Sequence, residues 1–332
     1  MSKLEYLVIK DPHFMFGFRN NIRRSGWEKA IHDKITQIID YALLNSIHNI
    51  FFTGDVFEKS YKKDWSFSQL QHNKFALERF RNAGLTVYSN MGNHDYFSGK
   101  EDISDTVFGE MRDLGLIQYI GTGMSPIIFE VGSSCIGLFG IDYHQNIDKV
   151  TEELARVSNY PDINYKILIM HSNITDQLTR LTDFTYEYIS GFNLDIVNCG
   201  HWHLEPENGA IQQIGDTHFL NPWNLTRVMR DYHVKLDEHK PSFIHVSLNE
   251  IDNKIIPSFK EIPLKVLPFS EAFNSEVINL LQELGKESFK FFDTVSLEQD
   301  DNLNDDNSLI ESLAKAYDIS ENSVKIAKEL IS

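Results

Sequence analysis

The chain has 332 residues, 42% of them apolar, with a formal net charge of -17, enough for one large domain with a smaller appendage or for two modest domains. That charge excludes a strongly basic, free-standing nucleic-acid binder, since phosphate contacts need Lys and Arg, and no apolar run reaches the ~18 residues of a membrane span. Two cysteines, Cys135 and Cys199, exclude a disulfide framework.

The charge is uneven. Residues 1–100 carry 14 Lys and Arg against 10 Asp and Glu, and residues 101–332 carry 17 against 38. Either the substrate is small or a partner supplies much of the basic surface. Residues 1–6 lead almost directly into a strand and leave no room for a signal peptide. Both cysteines lie in apolar runs, where buried free thiols are expected, and a cytoplasmic, nucleoid-associated location fits.

In chain order, the apolar run 4–9 predicts a strand followed by Asp11-Pro12-His13. Residues 14–25, with Arg19, Arg23 and Arg24, read as a solvated loop or as a phosphate-contacting one. Ile31, Ile35, Ile38 and Ala42 form one stripe and predict an amphipathic helix over 27–44. A strand over 49–53 delivers Asp55, and strand–helix–strand implies a parallel sheet. Lys59, Lys62 and Lys63 make a second basic cluster, a solvated face or a further substrate contact. Residues 65–82 predict a helix whose many aromatics fit a core or a subunit contact. The strand 85–89 then ends at Gly92-Asn93-His94-Asp95. Residues 103–114 predict a short helix, and 127–131 and 135–141 flank a Gly-Ser-Ser hairpin signal. Residues 148–157 predict another helix, and 166–170 and 194–199 buried strands, with a helix or loop near the site over 176–190. Beyond 203 the pattern is β-like at 210–214, 218–220, 242–248 and 254–262. Two strand layers with helices outside predict a four-layer α/β-β/α sandwich.

Five polar tips thus follow five apolar runs: Asp11-Pro12-His13, Gly54-Asp55, Gly92-Asn93-His94-Asp95, His171 and Gly200-His201-Trp202-His203. Open α/β sheets carry their chemistry in the crevice beyond the strand ends, so the tips are expected to converge. Asp11, His13, Asp55, Asn93, His171, His201 and His203 then form one donor set of imidazole, carboxylate and amide groups without thiolate, which suits Mn²⁺, Fe²⁺ or Zn²⁺. Seven donors exceed one tetrahedral ion and suit two ions about 3.5–4 Å apart with a bridging carboxylate. His94 stays free to act on the substrate.

These motifs, in this order, resemble the calcineurin-like metallophosphoesterases, and within them the nuclease subunit of SbcCD-like DNA repair and recombination complexes, the SbcD type. Asp95 stands where Ser/Thr protein phosphatases carry Glu, Gly54-Asp55-Val56-Phe57-Glu58 lacks their Asp-Arg-Gly, and Asn221–Arg227 occupies the place of a Pro-Gly-Ser-x-x-Arg turn. The resemblance covers roughly 4–248. It implies that Asp11, His13 and His203 hold one ion and Asn93, His171 and His201 the other, with Asp55 bridging. It also implies that His94 is the transition-state histidine, that Asp95 orients it, and that Mn²⁺ is the metal. Arg227 is a phosphate contact or a structural ion pair. Glu58 stands where some members carry a catalytic His, and Trp223-Asn224 replaces Gly-Ser.

The resemblance further implies a homodimer through helices near 65–82 and 103–114, and an SMC-like ATPase partner of the SbcC type bound by a C-terminal helix pair. The expected division is a nuclease domain over 1–262, a small α/β cap over 263–298, an acidic linker over 299–307 and a helical hairpin over 308–332. The expected activity is Mn²⁺-dependent exo- or endonucleolytic cleavage of DNA. The alternatives are a small-substrate phosphodiesterase or phosphatase of the same fold, which the acidic charge favours, and a scaffold with weak catalysis.

Overall fold

Leu4, Tyr6 and Val8 alternate along the first strand and turn into one apolar interior, while the intervening Leu7 and Ile9 are buried on the opposite face. A strand apolar on both faces belongs in the middle of a layered sandwich, and that is its place in this computed structural model. The structure describes residues 3–16, 26–96, 103–177, 182–203, 208–226 and 240–272.

The order of elements is β1 (Lys3–Ile9), α1 (Gly26–Leu44), β2 (Asn49–Phe52), α2 (Phe67–Asn82), β3 (Thr86–Ser89), α3 (Val107–Asp113), β4 (Gln118–Tyr119), β5 (Ile127–Val131) and β6 (Ser134–Ile141). It continues with α4 (Ile147–Ser158), β7 (Tyr165–Ser172), β8 (Ile174–Thr175), β9 (Phe184–Thr185), α5 (Tyr186–Ser190), β10 (Ile196–His201), β11 (Ile211–Ile214), β12 (Thr217–Leu220), β13 (Ser242–Ile251), β14 (Lys254–Pro263) and α6 (Phe269–Ala272).

The strands form two six-stranded mixed sheets, ordered β14-β13-β1-β2-β3-β4 and β11-β12-β10-β7-β6-β5. They stack through Tyr6, Val8, Phe51, Ile244 and Val246 of the first sheet and Leu138, Ile167, Ile169 and Ile196 of the second. The outer face of the second sheet, with Phe139, Leu168, Met170 and Val197, packs on Val150, Leu154 and Val157 of α4 and Ile189 of α5. On the other side Phe52 meets Phe80 of α2 at a ring distance of 5.8 Å. The result is the four-layer α/β-β/α sandwich.

Register positions the site. β1, β2 and β3 are parallel, with Ile9 opposite Phe52 and Phe52 opposite Ser89. In the second sheet β6, β7 and β10 are parallel, with Ile141 opposite Met170 and Gly200 opposite His171. Strands in step end in step, so the tips of each sheet emerge at one level.

Local chemistry explains where the elements differ from expectation. The second helix starts at Phe67 because Ser66 and Gln69 form a reciprocal capping box, leaving Lys62–Asp64 as a separate 3-10 turn. The helix expected over 103–114 divides into the 3-10 turn Ile103–Asp105 and α3, because the Thr106 hydroxyl caps Gly109 N–H at 2.9 Å. β4, β8 and β9 have two residues each, too few for a periodic signal. Cys199 is a buried free thiol as expected, but Cys135 is only half-buried, because it alternates with the buried Ser134 and Ile136 along β6.

The chain divides into two units: Met1–Gly17 with Ile31–Val266, and Phe18–Ala30 with Leu267–Ser332. The second is described only at 26–30 and 267–272, where Gly26 lies so close to the backbone carbonyl of Glu271 that a Cβ would clash. The expected linker over 299–307 and helical hairpin over 308–332 lie outside the described residues, as does the cap over 263–298 beyond Ala272. Among the described residues no helix is long and apolar enough to cross a membrane.

Candidate metal centre

Four of the candidate ligands sit on strained backbone. Asp11, His13, Asp55 and His201 have φ of 40°, 44°, 45° and 81°, a region that costs a non-glycine residue about 1–2 kcal/mol. The sharp turn at or just past each strand end sends these side chains into the common crevice instead of along the sheet. Such strain persists only where surrounding structure over-determines it, and here hydrogen bonds do so. His13 N–H donates to Asp55 O at 2.9 Å. Asp11 Oδ2 accepts from His201 N–H at 2.9 Å and Asp11 Oδ1 from the Thr53 hydroxyl at 3.0 Å. Asp55 Oδ1 accepts from His94 N–H at 2.8 Å.

Two glycines are required by this crowding. A Cβ on Gly92 would collide with Asp55 Oδ1, and one on Gly200 would collide with Thr53 O. The glycines of the Gly-Asn-His-Asp and Gly-His-x-His motifs therefore let one strand tip pass against another.

The donor atoms of the expected ligands gather in two groups, and His13, Glu58 and His94 make a third cluster beside the first. In the first, His13 Nε2 is 3.1 Å from His203 Nε2, and His203 Nε2 is 3.4 Å from Asp11 Oδ2. In the second, His171 Nε2 is 3.2 Å from both Asn93 Oδ1 and Asp55 Oδ2, and His201 lies with Asp55 and His171 inside a 4.8 Å cluster. Asp55 Oδ2 is also 3.5 Å from His13 Nε2, so one oxygen borders both groups. Two donors about 2.1 Å from one ion at 90–110° stand about 3.0–3.4 Å apart. The spacings and the nitrogen–oxygen donor set fit a divalent cation in each group.

Tautomers agree with this fit. His171 Nδ1 faces Thr53 O at 2.7 Å and His13 Nδ1 faces Glu58 Oε2 at 2.8 Å. The Thr53 carbonyl only accepts, so His171 Nδ1 carries the proton and its Nε2 lone pair points into the crevice, whereas His13 Nδ1 and Glu58 Oε2 meet at ion-pair distance without hydrogen-bond geometry. Burial opposes ionisation of the carboxylates, yet His203, His171 and Lys10 hold Asp11 at about 2, and His171, His94 and His13 hold Asp55 well below its ordinary value. Against burial, the same carboxylates push His171 up to about 9. Burial, with the charge on His171, lowers His201 to about 3. A proton on His171 balances the carboxylates, the same balance a divalent cation among these atoms provides.

His94 projects beside the first group, its ring 4.9 Å from that of His13. Its Nδ1 donates to the main-chain carbonyl of Glu58 at 2.9 Å. Asp95, expected to orient this imidazole, instead accepts from Val56, Phe57 and Gly92 N–H at 3.1, 3.0 and 3.0 Å. The Gly92–Asp95 turn points its carboxylate back into the loop, where it fastens the Asp55 loop to the His94 loop. Burial and the charge of Asp55 push it up to about 7.

Lys62 and Lys63 ride a loop tied to the site, since the Ser60 hydroxyl donates to His94 O at 2.7 Å. Arg19, Arg23, Arg24 and Arg227 lie outside the described residues. The turn before Arg227 is a structural brace: Leu225 N–H donates to Lys10 O at 2.9 Å and the Thr226 hydroxyl to Pro12 O at 3.0 Å.

The motifs did not reveal three residues at the site. Glu58 partners His13. Tyr143 sets its ring 5.0 Å from that of His201; it follows the apolar run of β6 and is a sixth strand tip. Lys10 is fully buried, and its ammonium donates to Trp202 O and, at 2.6 Å, to Asn221 Oδ1. A lysine closing an apolar strand beside Asp11 was the signal for it. Lys10→Met removes the donor and strands both acceptors, which costs about 1–3 kcal/mol per buried group. The variant is expected to unfold at correspondingly lower urea concentration, and equilibrium denaturation of the metal-free protein checks this.

The family model of calcineurin-like phosphoesterase matches residues 6–205. Two curated relatives are named DNA double-strand break repair protein Mre11. The one from Sulfolobus acidocaldarius is 24% identical over 206 residues, 60% of this chain and 50% of the relative. The one from Sulfurisphaera tokodaii is 24% identical over 185 residues, 54% and 43% of the two chains. The chain thus spans about half the length of the curated relatives it matches. Among solved structures, a dimetal phosphatase from Danio rerio aligns with a TM-score of 0.45 at 9% identity, covering 80% of this chain and 99% of that one. A 5'-nucleotidase precursor from Thermus thermophilus aligns with a TM-score of 0.42 at 10% identity, covering 87% and 59%.

Proposed function

The chain belongs to the calcineurin-like phosphoesterase family, and on that premise we propose that it is a Mn²⁺-dependent DNA nuclease of the SbcD and Mre11 kind, hydrolysing phosphodiester bonds with two metal ions. The observation that carries the two-ion reading is Asp55 Oδ2, 3.5 Å from His13 Nε2 and 3.2 Å from His171 Nε2. Asp11, His13 and His203 would hold the first ion and Asn93, His171 and His201 the second, with Asp55 placed to serve both. DNA as substrate rests on the two relatives named for double-strand break repair.

Ions bound there supply Lewis-acid contact to a phosphoryl oxygen and lower the pKa of a water. The residues do the rest. His94, its Nδ1 engaged by Glu58 O, turns Nε2 toward the reacting phosphate, where it donates to a phosphoryl oxygen or to the leaving oxygen. Asp95 fixes the loop that carries His94 and Asn93. Lys62 and Lys63 steer the flanking phosphates, with Arg19, Arg23, Arg24 and Arg227.

Exposed Phe67 and Phe75 on α2, 78% and 54% accessible, support a homodimer built on α2 and α3, the helices expected within 65–82 and 103–114. An SMC-like ATPase of the SbcC type, bound through 308–332, would supply the basic surface that a -17 chain lacks. The test is cleavage of linear duplex DNA with Mn²⁺, with and without such an ATPase and ATP. Cleavage that rises with partner and ATP is the expected result. Hydrolysis of a small chromogenic diester without DNA cleavage in either condition would overturn it in favour of the small-substrate phosphoesterase, the reading favoured by the acidic charge.

A further inference from the structure

We propose that Glu58 is a positioning residue that sets the two metal-binding groups apart: its carboxylate orients His13 and strengthens the first group alone, while its main-chain carbonyl independently orients His94. The proposal rests on the ligand reading above but not on DNA as the substrate.

The backbone brings Glu58 to this place by a short parallel ladder. His13 N–H donates to Asp55 O at 2.9 Å, Phe14 N–H to Val56 O at 2.8 Å and Glu58 N–H to Phe14 O at 3.3 Å, with Phe14 bridged to Phe57. Residues 13–14 and 55–58 therefore run side by side, and the Glu58 side chain folds back onto His13. Its Oε2 is 2.8 Å from His13 Nδ1, where the imidazole is fully buried and the carboxylate about one-fifth exposed at 22%.

The contrast with the second group gives the inference its content. His171 also offers Nε2 to the crevice and donates through Nδ1, but to the neutral carbonyl of Thr53 at 2.7 Å. A carboxylate on the far nitrogen makes the near nitrogen a stronger donor and locks the ring, and losing such a partner typically costs 10–100-fold in metal affinity or activity. The two groups share Asp55, but among the described residues the carboxylate oxygen nearest His171 Nδ1, Asp11 Oδ1, stands 3.7 Å away, against 2.8 Å between Glu58 Oε2 and His13 Nδ1. His94 takes its orientation from Glu58 O at 2.9 Å, a main-chain atom that every side-chain substitution retains.

Glu58→Ala and Glu58→Gln separate these roles. In calorimetric titration of the full chain with Mn²⁺ and no substrate, Glu58→Ala should weaken one binding event about 10–100-fold and leave the other unchanged. Glu58→Gln keeps an acceptor for Nδ1–H without the charge and should fall between Glu58→Ala and wild type. Imidazole ¹⁵N spectra of the metal-free protein should show the His13 Nδ1–H in slow exchange in the wild type and in fast exchange in Glu58→Ala. Diester hydrolysis by Glu58→Ala should need about 10–100-fold more Mn²⁺ yet recover the wild-type maximal rate at saturation. Unchanged affinity would overturn the proposal, as would equal weakening of both events. A maximal rate that stays low at saturating Mn²⁺ would overturn it too, because Glu58 would then act on the substrate. A wild-type chain that binds no Mn²⁺ would instead overturn the ligand reading itself, whether or not DNA is cleaved.

Discussion

Replacing His94 with Gln is expected to reduce phosphodiester turnover about 10²–10⁴-fold, the range for loss of one positioned acid or base, while Mn²⁺ binding stays at the wild-type level. The separation follows from which atoms of His94 do what. Its backbone N–H, not its ring, donates to Asp55 Oδ1 at 2.8 Å, so the substitution leaves the bridging carboxylate in place. Its ring hangs from Glu58 O through Nδ1 at 2.9 Å and belongs to neither group that Asp55 borders. Gln fills similar space and can hydrogen-bond, but it cannot exchange a proton at the position of Nε2. Turnover of a chromogenic diester and of duplex DNA at saturating Mn²⁺, with binding stoichiometry by calorimetry, checks both halves. Wild-type turnover would remove His94 from the chemistry. Lost metal binding would make it a structural residue of the centre.

The convergence of the site was legible because a strand end is a local event with a global consequence. Each apolar run is marked by its own side chains, and each polar tip is the next thing in the sequence. Parallel strands in register then bring the tips to one level without further instruction, as Ile9, Phe52 and Ser89 do in the first sheet. Gly92 and Gly200 add to the signal, since each is dictated by the close passage of a neighbouring tip. Position after a strand was thus enough to gather Asp11, Asp55, Asn93, His171 and His201.

Partner choice within the crevice was not legible, because it depends on which way a side chain turns once the backbone is folded. Asp95 follows His94 directly and was expected to orient it, yet consecutive residues of a tight turn point apart, and the carboxylate meets three backbone N–H groups. Glu58 looked like the loss of a histidine, and only the ladder between 13–14 and 55–58 reveals it as the partner of His13. Lys10 reads as the polar end of a strand until Trp202 and Asn221, about two hundred residues later, fold over it. Tyr143 went unread because Asp142-Tyr143 carries no metal-ligand signature, although it occupies the same place after β6 that the ligands occupy after theirs.

Asp55→Asn is expected to have the largest effect on the centre, because its Oδ2 lies beside Nε2 atoms of both donor groups. Its Oδ2 lies 3.2 Å from His171 Nε2 and 3.5 Å from His13 Nε2, whereas Asn93 enters only the second group and His203 only the first. Removing Asn93 or His203 should therefore weaken one binding event, and removing the Asp55 charge should weaken both. Asp55 is also the chief cause, against burial, that holds His171 at about 9. In metal-free Asp55→Asn the His171 pKa should fall, a change visible by NMR titration without any metal. Folding linkage gives a third readout. A ligand that binds only the folded state stabilises it by about 2.7 kcal/mol at 100 times its Kd, so Mn²⁺ should raise the Tm of the wild type clearly and that of Asp55→Asn little. The sign of the acid response follows from the low pKa of Asp55. Its ionised form stabilises the metal-free fold above the ordinary carboxylate pKa of about 3.9, and that contribution is lost as the pH falls through the depressed folded value. Asp55→Asn should therefore lower stability at neutral pH and flatten this part of the acid limb. A Tm that Mn²⁺ raises equally in both proteins would show that Asp55 bridges nothing, and the two-ion reading would fall with it.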